Sequence, residues 1–256
     1  MGNVLYLLLR AHTAQSEGRD HLVLDQFGPG PWRDAFPRLN ELLLPPGQLA
    51  FTDRREHLGV TFFQAFGEDF TRPELQRFIA DRLSDVDLDE VAQHASPRPR
   101  NHEVVINIRR GDYYSNPQFR RTFGFDIVDY VGNAWTELCE GGSPPSIAIV
   151  SDDPDWCRQH LRLPGVCQAD TRYVGPADGI LVSWATVARA RELIITNSTF
   201  SYWAAYVAGH RHGAANRVWA PDFHARHVRQ GAPWQHDPRW RRLAVRPEPG
   251  PGDVCS

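Results

Sequence analysis

The chain contains no lysine; all 28 of its basic residues are arginines. That absence removes whole classes of chemistry. No Walker lysine can reach a nucleoside triphosphate, no lysine can form a Schiff base, and kinases that need a strand lysine are excluded. Cysteine is scarce as well. Cys139, Cys157, Cys167 and Cys255 form no CxxC pair, and their spacing suits neither a zinc site nor a disulfide framework. Buried or unreactive thiols in a reducing compartment are expected. Long hydrophobic runs are also missing. Residues 4–9 are too few to span a bilayer and no basic leader precedes them, so the expectation is a cytoplasmic protein with no signal peptide and no membrane span. A net charge of -3 offers no basic field for a nucleic-acid partner. What the chain does have is 256 residues of 41% hydrophobic content, enough for a core in one large domain or two small ones.

Hydrophobic periodicity organises the sequence. Residues 2–20 read as a helix with Leu5, Leu8, Leu9, His12 and Thr13 on one face, stopped by Gly18. Residues 21–25 read as a strand, a Pro/Gly-rich loop follows around 28–31, and residues 73–93 carry a helical pattern. The alternating prolines of Ser96-Pro97-Arg98-Pro99-Arg100-Asn101 mark a linker, which places a domain boundary between residues 100 and 101. Beyond it, strands at 104–108, 147–150, 193–196 and 217–221 alternate with helices at 127–138, 156–161, 183–191 and 202–207. Repeated strand–helix units imply a parallel sheet with helices on its faces. The Pro/Gly-rich residues 246–256 read as a disordered tail.

Three strands end in polar clusters. The first, Val104-Val105-Ile106-Asn107-Ile108, breaks into Arg109, Arg110, Gly111 and Asp112. Adjacent guanidinium groups at a strand's C-terminal end suit a diphosphate, since each makes planar, charge-assisted hydrogen bonds. They would equally suit a surface Arg–Asp ion-pair cluster. The second strand ends in Ser151, Asp152 and Asp153, and the third in Asn197, Ser198, Thr199, Phe200 and Ser201 at a helix start. Free amides and the dipole at such a helix start favour phosphate oxygens, although a plain N-cap would look the same. Ligands of open α/β sheets bind at strand C-termini. The three clusters together therefore describe a nucleoside-diphosphate pocket that calls for no metal and no other cofactor. His210, His212, His224 and His227 read as solvated side chains rather than zinc ligands, and Trp219, Trp234 and Trp240 as core.

These segments resemble the α-1,2-fucosyltransferases of bacteria and eukaryotes. Asn107-Ile108-Arg109-Arg110-Gly111-Asp112-Tyr113 looks like the family's His-x-Arg-Arg-x-Asp motif. Val150-Ser151-Asp152-Asp153-Pro154-Asp155-Trp156 looks like its Ser-Asp-Asp-x-x-Trp segment. Asn197-Ser198-Thr199-Phe200-Ser201-Tyr202-Trp203-Ala204-Ala205 follows its Asn-Ser-Ser-Phe-Ser-Trp-Trp-Ala-Ala segment, and Gly2-Asn3 looks like the end of its N-terminal glycine motif. The resemblance implies a GT-B-like α/β fold of two Rossmann-like lobes: an acceptor-side lobe over residues 1–100 and a nucleotide-sugar-binding lobe over 101–245. It implies an inverting, metal-independent transfer of L-fucose from GDP-β-L-fucose to a hydroxyl of a glycan or small-molecule acceptor. Arg109 would grip the β-phosphate, with Asp112 as the candidate base. Arg110, Asp152, Ser183, Asn107, Asn197, Ser198, Thr199, Phe200, Ser201, Gly2 and Asn3 would form the donor side. Three departures stand out. Asn107 replaces the family's histidine, Ser183 replaces an acidic residue (with Asp178 nearby), and the Gly-Gly-Leu before Gly2 is missing. The first two bear on how the base is read, so a different nucleotide sugar, or a catalytically silent binding protein, stays open.

Overall fold

The computed structural model describes residues 2–26, 30–54, 64–93, 103–140, 142, 146–167 and 171–248. The chain falls into two compact units, Met1–Asp87 and Leu88–Ser256. Residues 28 and 29 of the expected loop at 28–31 lie outside the described residues. The linker at 96–101, the boundary at residue 100 and residues 249–256 of the expected tail lie wholly outside them. Residues 246–248, expected to be disordered, are held: the Arg246 carbonyl accepts the Asp126 N–H (3.0 Å) and Glu248 pairs with Arg120 (2.6 Å).

The first unit is mostly helical. Helix α1, Gly2–Ser16, buries Leu5, Tyr6, Leu8, Leu9, Ala11, His12 and Ala14. It ends four residues short of the expected limit because Gly18 takes the left-handed conformation (φ 81°) that only glycine adopts without strain. The expected strand at 21–25 shrinks to β1, Val23–Leu24, which pairs in parallel with β2, Leu43–Leu44. Between them lies a short helix α2, Pro31–Ala35. The helical pattern at 73–93 resolves into two helices. Helix α3, Arg72–Arg82, starts at a Thr71/Glu74 capping box. Helix α4, Leu88–Gln93, already belongs to the second unit.

The second unit is a six-stranded parallel sheet. Its strands are β3 (Glu103–Ile108), β4 (Ser146–Ser151), β5 (Thr171–Val174), β6 (Glu192–Ile195), β7 (Arg217–Pro221) and β8 (Arg241–Leu243), in the spatial order β5-β4-β3-β6-β7-β8. The chain steps outward from β3 to β5, then returns to the other side of β3 and steps outward again to β8. The strand order thus reverses between β3 and β6. That is the dinucleotide-fold order, and its ligand crevice opens at the reversal, beyond the strand C-termini.

Side chains alternate along β3. Val104, Ile106 and Ile108 join one core cluster with Ile147, Ile149 and Ile194. Helices α7 (Ile127–Cys139) and α8 (Pro154–His160) cover that face through Tyr130, Val131, Ala134, Trp135 and Cys157. Helix α9 (Ile180–Ala188) packs on β3 and β4, and α10 (Thr199–His212) packs on β6 and α9, outside that cluster. Two short helices intervene between β3 and α7: α5, Gly111–Ser115, and α6, Pro117–Phe123. Cys157 is buried, Cys139 is half-buried and Cys167 is exposed.

Candidate active site

Strands β3, β4 and β6 deliver all three polar clusters to one edge of the sheet. The seam between β3 and β6 is closed by side chains as well as backbone. Thr196 donates its N–H to the Asn107 carbonyl (3.1 Å), and its Oγ1 accepts the Arg109 N–H (2.9 Å). Thr196 is completely buried, and it carries the register that brings Arg109 beside the α10 start. The sequence reading passed over it as a strand residue. A β-branched hydroxyl at a strand end facing a polar loop was the available signal.

Asn107, 4% exposed, is a tie between elements. Its Nδ2 donates to the Val150 carbonyl (3.0 Å), and its Oδ1 accepts the Ser201 hydroxyl (2.6 Å). Asn197 is equally occupied, donating to the carbonyls of Phe123 (2.9 Å) and His224 (2.8 Å). Asn107, Ser201 and Asn197 therefore tie the strand ends to α10 and to the neighbouring loops. Ser198 stands at the N-cap of α10 but makes no side-chain capping bond. The first amides of that helix have no intrahelical partner, so the cap position leaves them available to an anion. Thr199 and Phe200 open the helix beside it, half-buried.

Arg109 and Arg110 have different environments. Arg109 keeps 39% of its side chain exposed. Its Nη1 lies 2.8 Å from Asp152 Oδ2 and its Nη2 2.6 Å from Asp112 Oδ1. Arg110, 16% exposed, is sandwiched between the rings of Trp156 (3.8 Å to the centroid) and Tyr114 (4.4 Å), with its Nε 3.5 Å from Asp153. Stacking of this kind fixes a guanidinium in place. Arg110 thus braces the loop and Arg109 faces outward.

The acidic residues after β4 hold that loop. Asp152 Oδ1 accepts the Arg110 N–H (2.7 Å) while Oδ2 holds Arg109. Asp153 caps α8 by accepting the Trp156 N–H (3.1 Å), and its own N–H donates to Ser151 Oγ (3.0 Å). Gly111 is required by close approach. A Cβ there would stand 2.5 Å from Asp152 Oδ2. Tyr113 stacks on Phe123 (4.3 Å) and lies under Arg109 (5.6 Å). Burial pushes its phenol up to about 12, which keeps it neutral and removes it as a base at neutral pH.

Other residues singled out in the sequence lie elsewhere. Ser183 is buried in α9, its hydroxyl 3.4 Å from the Gly175 carbonyl, and Asp178 accepts the Gly175 N–H (2.8 Å), both just beyond the β5 C-terminus. Gly2 and Asn3 begin α1 in the first unit. His224 is buried in an aromatic cluster, its Nδ1 2.9 Å from the Tyr202 hydroxyl, which corrects the reading of a solvated side chain. Trp219 and Trp240 are core, as expected, whereas Trp234 is only half-buried. A cavity of about 450 Å³ lies at the other end of the sheet, lined by Glu137 and Glu140 at the end of α7, Arg217 and Trp219 at the start of β7, and Arg239 and Arg241 around the start of β8. No helix among the described residues is long and apolar enough to cross a membrane.

Comparison with known proteins agrees with this geometry. The model of glycosyl transferase family 11 matches residues 59–227, well over half of the chain. An alpha-1,2-colitosyltransferase of Escherichia coli is 27% identical over 106 residues, covering 41% of this chain and 36% of that protein. Galactoside alpha-(1,2)-fucosyltransferase 1 of Aotus nancymaae is 29% identical over 116 residues, covering 44% and 30%, and that of Saimiri sciureus matches equally. The match therefore spans about a third of the length of these relatives. The matched stretch takes in the arginine-bearing loop after β3, the acidic loop after β4 and the uncapped start of α10. On that basis the chain belongs to glycosyl transferase family 11.

Proposed function

We propose that this protein is an inverting glycosyltransferase that moves L-fucose from GDP-β-L-fucose to a hydroxyl of a glycan or small-molecule acceptor. The observation that carries the reading is the partly exposed Arg109 at the β3/β6 reversal, whose backbone N–H is held by Thr196 just before the uncapped N-terminus of α10. The reaction needs positive charge at that place. The acceptor oxygen attacks the anomeric carbon from the face opposite the phosphate. The bond from that carbon to the phosphate oxygen breaks, and its electron pair stays on the departing GDP. Arg109 and the helix amides meet that growing charge without reorganising. The acceptor proton passes to a carboxylate, for which the half-exposed Asp112 beside Arg109 is our assignment.

In this reading the second unit is the donor lobe of a GT-B-like fold and the first unit is the acceptor-side lobe. The donor charge is handled by arginine and backbone, so a chelator leaves activity intact. A second reading keeps the chemistry and changes the sugar. One relative is named for transfer of a colitosyl group and others for transfer of a fucosyl group, and the position of Asn107 and the burial of Ser183 bear on which nucleotide is chosen.

The test is a thermal-shift titration with GDP, GDP-fucose, GDP-mannose and UDP-glucose, followed by transfer assays on galactose-ended acceptors. A ligand that binds the native state raises the melting temperature by mass action. Selective stabilisation by GDP and GDP-fucose is expected, with Arg109→Ala lowering turnover by roughly a hundredfold or more. Preference for another nucleotide would move the assignment to the second reading. Full transfer activity in Arg109→Ala would remove the role given to that residue.

A further inference from the structure

We propose that Asp112 occupies the phosphate's place on Arg109 in the free protein, and that donor binding exchanges this carboxylate for the diphosphate while Asp152 stays bound. The proposal rests on the donor-site reading above.

The two carboxylates on Arg109 are held very differently. Asp152 is the more firmly held: Oδ1 accepts the Arg110 N–H (2.7 Å), Oδ2 lies 2.8 Å from Arg109 Nη1 as an ion pair, and Oδ2 packs so close to Gly111 that a Cβ there would meet it at 2.5 Å. Its side chain is 22% exposed. Asp112 stands on the first turn of the five-residue helix α5, with its side chain 47% exposed. Among the described residues its one hydrogen-bond or ion-pair partner is Arg109 Nη2, at 2.6 Å. Exposed ion pairs of this kind are worth little and exchange readily.

Charge balance gives the exchange a reason. Arg109 and Arg110 face Asp112, Asp152 and Asp153, so the cluster is anionic by one charge as it stands. A diphosphate arriving at that cluster meets repulsion unless one carboxylate leaves. Asp112 is the one free to go. Its departure opens Nη2 to a phosphate oxygen, while Asp152 continues to orient the guanidinium through Nη1. It also releases the Asp112 carboxylate from Arg109, so the guanidinium holds that carboxylate only while no donor is bound. Asp152 acts through Arg109 and is a positioning residue.

The experiment measures binding of pyrophosphate and of GDP by calorimetry to the wild type and to the Arg109→Ala, Asp112→Asn and Asp152→Asn variants. In Asp152→Asn the side-chain amide oxygen still accepts the Arg110 N–H, so the loop keeps its fold while the negative charge on Arg109 is lost. Gly111→Ala disturbs the same contact independently and covers a failure of Asp152→Asn to fold. Asp112→Asn is expected to bind pyrophosphate roughly threefold tighter, because a competing carboxylate has gone. Asp152→Asn is expected to bind it about tenfold more weakly, with an unchanged melting temperature in the absence of ligand. Weakening in Asp112→Asn, or no loss in Asp152→Asn and Gly111→Ala, overturns the exchange; a loss confined to Arg109→Ala still leaves the donor-site reading standing. Equal binding to the wild type and Arg109→Ala overturns that reading and the exchange with it.

Discussion

Asn107 and Ser201 meet side chain to side chain at 2.6 Å, a buried hydrogen bond between residues 94 positions apart that joins the end of β3 to the first turn of α10. Asn107 spends its amide on the Val150 carbonyl in the same place, so one side chain binds three elements that feed the site. Replacing it with leucine strands the Ser201 hydroxyl and the Val150 carbonyl in the interior. A loss of about 2–4 kcal/mol in unfolding free energy is expected from two unpaired buried groups. Urea denaturation checks it, and a loss below about 1 kcal/mol would show that the tie is dispensable.

Gly111→Ala should separate chemistry from stability. The added Cβ collides with Asp152 Oδ2 at 2.5 Å, and relief comes by moving that carboxylate off Arg109. We expect kcat to fall roughly tenfold or more with a change in melting temperature of only a few degrees. Steady-state kinetics with the preferred donor measures it. Unchanged kcat would mean that Asp152 finds another pose without disturbing Arg109.

Arg110→Lys is not a conservative change. A lysine at this position keeps the charge but cannot lie flat between Trp156 and Tyr114 at 3.8 and 4.4 Å. The expected cost is about 1–2 kcal/mol of stability, with donor affinity falling less than in Arg109→Lys. Thermal unfolding together with GDP titration of both variants orders the two effects. A larger loss of GDP affinity in Arg110→Lys would exchange the roles assigned to the two arginines.

Acid sensitivity follows from His224. Burial lowers its pKa from 6.5 to about 4 in the folded protein, and burial also lowers His236 well below its usual range. The unfolded chain takes up a proton at 6.5 while the folded chain refuses it, so stability falls as pH drops from 6.5 toward 4 and is fully present above 6.5. For His224 the loss is on the order of 3 kcal/mol across that window. A His224→Gln variant should show a shallower acid limb in unfolding free energy against pH. An identical slope would place the protonation elsewhere.

Much of this architecture is legible in the residues. The β-branched run at 104–108 is buried on both faces and stands at the centre of the sheet, where apolar composition is strongest. The helices flanked by Asp153 and Ser198 begin where their polar caps suggest. The outer strands were not legible. Thr171–Val174 and Arg241–Leu243 lie at the two edges of the sheet, and their half-exposed, polar residues carry no apolar run. Only backbone pairing makes them strands. Helices α5 and α6, five and seven residues long, are too short to show a period. At the site, residue types brought three polar clusters to one end of the sheet but gave no side chain's partner. Asn107 and Asn197 stand among the donor contacts that the family resemblance implies. Their partners, the carbonyls of Val150, Phe123 and His224, lie 27 to 74 positions away and leave no local trace.

The bond from the Thr196 N–H to the Asn107 carbonyl has a kinetic meaning. That amide proton can exchange with solvent only when the chain's central long-range pairing opens. The same holds for the Arg109 N–H behind the Thr196 hydroxyl. Both should rank among the slowest protons in the molecule, exchanging through global opening rather than local fraying. The arginine-bearing loop is then protected as deeply as the core. The anion-binding edge and the fold come apart as a single cooperative event.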